Sequence, residues 1–114
     1  MPQPLSGNGQ DVQVFGLTTV RIVGPSMEPA LRNGEVYLAW ARRKANVAGG
    51  DVVVVVHPRR PELLTVKRLV RRVGDGWWVE GDNPNSSSDS REFGPVPEAN
   101  IQAKVLLRLR PLRR

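Results

Sequence analysis

The chain contains no cysteine and only one histidine, His57. The missing thiols exclude a disulfide framework and any thiolate metal site. With one imidazole, only carboxylates remain as metal ligands, and they form no ligand cluster, so neither a metal nor another cofactor is expected. A Ser-His-Asp triad would have to use His57, which lies beside Pro58 at a predicted strand end, a context that gives a triad no support. Long hydrophobic runs are missing too. No apolar stretch approaches the roughly 18 residues of a membrane span. Residues 1–10 are polar and carry no lysine or arginine, so they do not read as a signal peptide. The expectation is a cytoplasmic protein without a transmembrane anchor, peripheral membrane contact being the one membrane role left open. Helical periodicity is also absent, and aromatics make up 5% of the chain.

What is abundant is positive charge: 17 Lys and Arg against 11 Asp and Glu, net +6. The excess gathers at Arg42-Arg43-Lys44, at Arg68 with Arg71 and Arg72, and from Lys104 to the end. Such a balance permits nucleic-acid or anionic-surface binding. However, the basic residues are not interleaved with aromatics and no nucleic-acid motif is present. Solvated arginines are the favoured reading, and no stable nucleic-acid partner is expected.

A chain of 114 residues makes one small domain. Residues 1–11 read as a flexible terminus, 12–110 as the domain, and 111–114 as a basic tail. Strands are predicted over Leu17–Val23, Glu35–Ala41, Asp51–His57, Glu62–Val73, Trp77–Glu80 and Ile101–Leu109, from their β-branched content and their turn boundaries. Asp51–His57, with five valines, reads as buried on both faces. In Glu62–Val73 the alternation puts Leu63, Thr65, Lys67, Leu69 and Arg71 on one face. Gly81 to Asn100 reads as a long loop without regular structure, hence functional or disordered. The fold class is mainly β: a small, single-domain antiparallel fold.

One stretch organises the rest: Gly24-Pro25-Ser26-Met27-Glu28-Pro29. Two prolines restrain the backbone around a serine, and Gly24 permits close approach. That is how a nucleophilic hydroxyl is presented, provided a base lies within reach. Read alone, the stretch fits an ordinary loop serine equally well. With His57 unsupported, lysine is the remaining base. A lysine in water is charged and useless for this, but burial disfavours the ammonium. Lys44 lies in a charged loop and Lys104 in the basic tail. Lys67 is mid-strand among apolar neighbours, and it is the candidate; the alternative is a strand lysine facing water.

Ser26-Met27-Glu28-Pro29, Lys67-Arg68, and Gly81-Asp82-Asn83 followed by Ser87, Asp89-Ser90-Arg91 and Phe93-Gly94 resemble, in order, the three boxes of the type I signal peptidases. These are Ser-Lys peptidases related to the self-cleaving repressors. The likeness runs from about Val20 to Val105. It implies that Ser26 is the nucleophile and Lys67 the general base. It further implies that Ser87 helps orient the amine and that the Ser26 backbone N–H serves the oxyanion hole, with Gly24 and Met27 supporting the serine. Arg68 with Asp82, and Asp89 with Arg91, would be scaffolding pairs. Ala30 stands where many members have threonine, and Gly24 where some have an oxyanion-donating serine. Gly-Trp-Trp-Val-Glu-Gly-Asp-Asn-Pro and Phe-Gly-Pro-Val-Pro are most similar to the soluble nickel-type superoxide dismutase maturation proteases. That resemblance implies an extended peptide segment of a precursor as substrate, trimmed at its amino-terminal extension. Ordinary preprotein signal peptidase activity is the alternative, and a non-catalytic peptide- or nucleic-acid-binding β-domain is the third reading.

Overall fold

The computed structural model of the protein describes residues 16–41 and 46–110. The expected flexible terminus 1–11, the basic run 42–44 and the tail 111–114 lie outside the described residues. One seven-stranded sheet dominates: β1 (Gly16–Arg21), β2 (Val36–Ala41), β3 (Val52–His57), β4 (Arg60–Val73), β5 (Gly76–Glu80), β6 (Val96–Pro97) and β7 (Ile101–Leu109). Their spatial order is β1-β2-β7-β3-β4-β5-β6, and every pairing is antiparallel. The last strand is thus inserted between β2 and β3, which ties the first half of the chain to the second.

Composition explains the central strands. Val53 and Val55 join Leu69, Trp77, Val79, Val96 and Ile101 in one core cluster, while Val54 joins Ala39 and Ala103 in another. β3 is therefore buried on both faces, as its run of valines implies. A third cluster unites Ile22, Met27, Leu31 and Tyr37. It packs the segment leaving β1 against the body of the domain.

Three sequence expectations are revised. β1 ends at Arg21, two residues early, because Ile22 leaves the ladder to exchange hydrogen bonds with Glu35 and Gly34. In β4 the alternation breaks after Leu69. The register passes from Leu69↔Val79 to Arg71↔Trp78, so Val70 is the extra residue of a bulge. Arg72 rather than Arg71 then shares the face of Leu69, and its guanidinium lies over the Trp77 ring at 4.5 Å. Finally, Gly81–Asn100 is not without regular structure. It holds 3₁₀ turns at Pro84–Ser86 and Glu98–Asn100, the short helix α1 (Ser90–Phe93), and β6. The Asp89 side chain caps α1 by accepting from the Arg91 N–H. Among the described residues no helix is long and apolar enough to cross a membrane.

Candidate active site

Ser26 sits on the turn between β1 and β2. Gly24 has φ +88°, a conformation that strains any side chain, and its N–H donates to Asn33 Oδ1 at 2.8 Å. The Pro25 carbonyl accepts from Glu28 N–H at 3.0 Å, and the Met27 carbonyl accepts from Leu31 N–H at 3.0 Å. Met27 is 1% exposed. Its side chain anchors the turn from below, within the cluster of Ile22, Leu31 and Tyr37.

Lys67 stands opposite Val53 in the β3–β4 register. It is 4% exposed. Its Nζ lies 3.5 Å from Ser26 Oγ. Burial pushes the amine below its usual pKa, the Asp89 charge pushes it back up, and the Arg91 charge lowers it again. Desolvation is the largest of these effects, so the neutral amine is favoured relative to a lysine in water.

Beneath this pair lies Asp89, 1% exposed. Its Oδ2 accepts from the Ser87 hydroxyl at 2.9 Å and the Gly81 N–H at 2.9 Å, and pairs with the Arg91 guanidinium. Its Oδ1 accepts from Arg91 Nε at 3.0 Å. Burial alone would raise the Asp89 carboxyl, but Arg91, Gly81 and Ser87 outweigh it and hold the pKa at about 2. The Ser87 proton is thus directed to Asp89, which leaves the hydroxyl lone pairs as acceptors. The second pair, Arg68 with Asp82, is bidentate at 2.9 and 2.7 Å, and Arg68 also donates to the Gly50 carbonyl at 2.8 Å. The carboxylate raises the guanidinium pKa further. This pair locks the strand carrying Lys67 to the loop carrying Ser87.

Two residues of that loop matter more than their sequence suggested. A Cβ on Gly81 would meet Ser87 Oγ at 2.1 Å and the Ser26 carbonyl oxygen at 2.7 Å. Glycine is what lets the loop and the serine turn touch. Asn83 donates its backbone N–H to the Ser26 carbonyl at 2.8 Å and its Nδ2 to the Pro25 carbonyl at 3.1 Å. Both residues belong to a recognisable box, but nothing in their spacing announces these contacts.

His57 is elsewhere. Four residues of β3 beyond Val53 place it about 13 Å along the strand at ~3.3 Å per residue. Its ring lies 4.8 Å from that of Phe93, and its Nδ1 accepts from the Arg59 N–H. Among the described residues no group of three or more His, Cys, Asp or Glu could hold a metal ion.

Residues 10–106 match the Peptidase S24-like family. The chain belongs to that family. It is 35% identical over 111 residues to mitochondrial inner membrane protease subunit 1 of Xenopus tropicalis, covering 78% of this chain and 66% of that protein. It is 36% identical over 120 residues to mitochondrial ATP-independent inner membrane protease subunit 1a of Arabidopsis thaliana, covering 83% and 71%. With mitochondrial inner membrane protease subunit 2 of Mus musculus it shares 35% identity over 100 residues, covering 67% and 57%. This S24-like chain thus spans about two thirds of the length of the curated relatives it matches.

Proposed function

We propose that this S24-like chain is a serine endopeptidase with Ser26 as nucleophile and Lys67 as general base, acting on an extended segment near the amino terminus of a protein precursor. The observation that carries the reading is a buried lysine amine 3.5 Å from a turn-held serine hydroxyl. That separation is slightly long for a hydrogen bond, and catalytic contacts of this kind tighten when substrate binds. The peptide would lie as an added strand along the segments flanking the serine turn.

The chemistry follows from the groups present. The neutral Lys67 amine takes the Ser26 proton as Oγ bonds to the substrate carbonyl carbon, and the carbonyl electron pair moves onto oxygen. The Ser26 backbone N–H donates to that oxyanion. The intermediate collapses, the C–N bond breaks, and the Lys67 ammonium returns its proton to the leaving amine. Water, deprotonated by the same lysine, then attacks the acyl carbon, the C–Oγ bond breaks, and the Lys67 ammonium returns the proton to Ser26 Oγ as the new carboxyl terminus leaves. Ser87, whose proton is committed to Asp89, keeps lone pairs with which it would orient the amine during turnover; in the resting site the hydrogen bond found for the amine is to Ser26. Arg68–Asp82 and Asp89–Arg91 are the scaffold that keeps these groups in register.

For the substrate, the names of the relatives favour signal peptidase-like processing of precursors at a membrane over maturation of nickel superoxide dismutase in the cytoplasm. The nickel reading rests on the tryptophan- and proline-containing stretches of the sequence alone. The test offers wild type, Ser26→Ala and Lys67→Ala two precursors in parallel: a membrane preprotein in vesicles and a nickel superoxide dismutase precursor. New amino termini are read by mass spectrometry. Ser26-dependent cleavage of the preprotein alone supports the membrane reading, and cleavage of the dismutase precursor alone restores the other. Cleavage of either precursor by Ser26→Ala overturns the dyad.

A further inference from the structure

We infer that Asn83 is the positioning residue that aims the oxyanion-binding N–H of Ser26. This rests on the dyad reading above. The Pro25 carbonyl and the Ser26 N–H belong to one peptide unit, which is planar and, when trans, points the two groups in opposite directions. Fixing the carbonyl therefore fixes the N–H. Asn83 Nδ2 donates to that carbonyl at 3.1 Å across 58 residues of sequence. The next peptide unit is held by the same residue, because the Asn83 backbone N–H donates to the Ser26 carbonyl at 2.8 Å. A single asparagine thus grips both peptide planes that flank the nucleophile.

The local context of Asn83 strengthens the case. It occupies the N-cap of the Pro84–Ser86 3₁₀ turn, where an asparagine side chain ordinarily accepts from its own turn. Here it makes no capping bond. The carboxamide instead reaches over to the serine turn. Its own carbonyl accepts from the Ser86 N–H at 3.0 Å, which steadies its backbone. Gly81, two residues earlier, lacks the Cβ that would keep the two segments apart. A donor hydrogen-bonded to the carbonyl end of a peptide also polarises it, which makes its N–H a better donor to a developing oxyanion. The same carbonyl also accepts from the Glu28 N–H at 3.0 Å within the turn, so loss of the carboxamide leaves one of two bonds on the Pro25–Ser26 plane; the plane then tilts toward the remaining donor and its N–H moves off the reacting oxygen.

The test uses the full chain and the best-cleaved sequence of a quenched-fluorescence decapeptide library. Complete removal of an oxyanion donor costs about 10²- to 10³-fold in kcat, so a misaimed donor in Asn83→Ala should cost about 10- to 100-fold. KM should stay within about threefold, since ground-state binding does not use the oxyanion donor. Asn83→Asp keeps the backbone bond but sets an acceptor against the Pro25 carbonyl, and should lose at least as much; it carries the test should Asn83→Ala fail to fold. A readout that mere loosening would not give is the comparison of a tri-alanyl aldehyde, which forms an oxyanion-bearing adduct with Ser26, with the matching alcohol, which cannot. Aldehyde affinity should fall in step with kcat while alcohol affinity holds. Retention of kcat within about twofold in the folded variants, or a parallel fall of both affinities, overturns the proposal. If instead the wild type and Ser26→Ala cleave alike, the dyad reading itself fails, and Asn83 is not what was tested.

Discussion

Lys67 Nζ faces Ser26 Oγ across 3.5 Å from the middle of a strand that leaves the lysine 4% exposed. An ammonium in that position loses most of its hydration and gains one compensating carboxylate, Asp89, which is already committed to Arg91. The fold therefore keeps an amine where a hydrocarbon would be more comfortable. Substitution of Lys67 by Met should abolish cleavage and raise stability by about 0.5–2 kcal/mol, because the buried amine is replaced by an apolar side chain of similar length. Thermal unfolding of the two proteins at neutral pH checks this. A destabilised Lys67→Met would mean the amine contributes favourable bonds in the resting site.

The lowered Lys67 pKa gives the pH profile its sign. Activity should rise with pH as the lysine loses its proton, with the rising limb below the ordinary lysine value of 10.5. Asp89 raises that pKa, so Asp89→Asn should move the limb to lower pH in whatever activity remains. Lys67→Arg should be inactive at every pH, because arginine stays protonated. Rates measured from pH 5 to 10 as an approximate window would show it. A limb at the same pH in wild type and Asp89→Asn would remove Asp89 from the electrostatics of Lys67.

Asp89 also ties stability to acid. Its folded pKa of about 2 lies below the ordinary 3.8, so its stabilisation is complete above the ordinary value and is lost as pH falls through about 2. The difference is worth about 2 kcal/mol. In acid titrations followed by circular dichroism, Asp89→Asn should be less stable than wild type at pH 7 and the gap should close in strong acid.

Gly81→Ala should be disproportionately harmful for one methyl group. The new Cβ meets Ser87 Oγ at 2.1 Å and the Ser26 carbonyl at 2.7 Å, and the second contact is with backbone. The loop must retreat from the serine turn, at about 1–3 kcal/mol of stability and with a fall in turnover larger than the stability loss accounts for. Paired measurements of unfolding and kcat test this. Normal turnover would mean that the two segments separate without consequence for Ser26.

His57→Ala should leave turnover near that of wild type. The ring's neighbour is Phe93, and its loss should cost about 1 kcal/mol of stability. A large fall in kcat with folding intact would instead point to a histidine-based mechanism.

The strands were legible because their signals are local. β-branched runs, the Asp75-Gly76 turn and the valines of β3 report on pleat, turn and burial within a few residues, and β7 runs over Ile101–Leu109 as the sequence reads. The serine turn and the candidate lysine could also be named from the sequence, since proline restraint and apolar surroundings are written in neighbouring residues. The break after Leu69 could not, because a bulge is decided by how β4 and β5 settle against the Trp77 core, not by the residues of β4 alone. The order inside Gly81–Asn100 was likewise invisible: its Gly, Asp, Asn, Pro and Ser content looks structureless until Asp89 finds Arg91, Gly81 and Ser87 together. By itself, then, the sequence determined six of the seven strands, all but the two-residue β6, and the candidate residues for chemistry. Only the tertiary structure decided that Lys67 meets Ser26 across 41 residues and that Asn83 grips the Pro25 carbonyl across 58. Contacts at such separations depend on strand order and sheet curvature, which are properties of the whole packed chain.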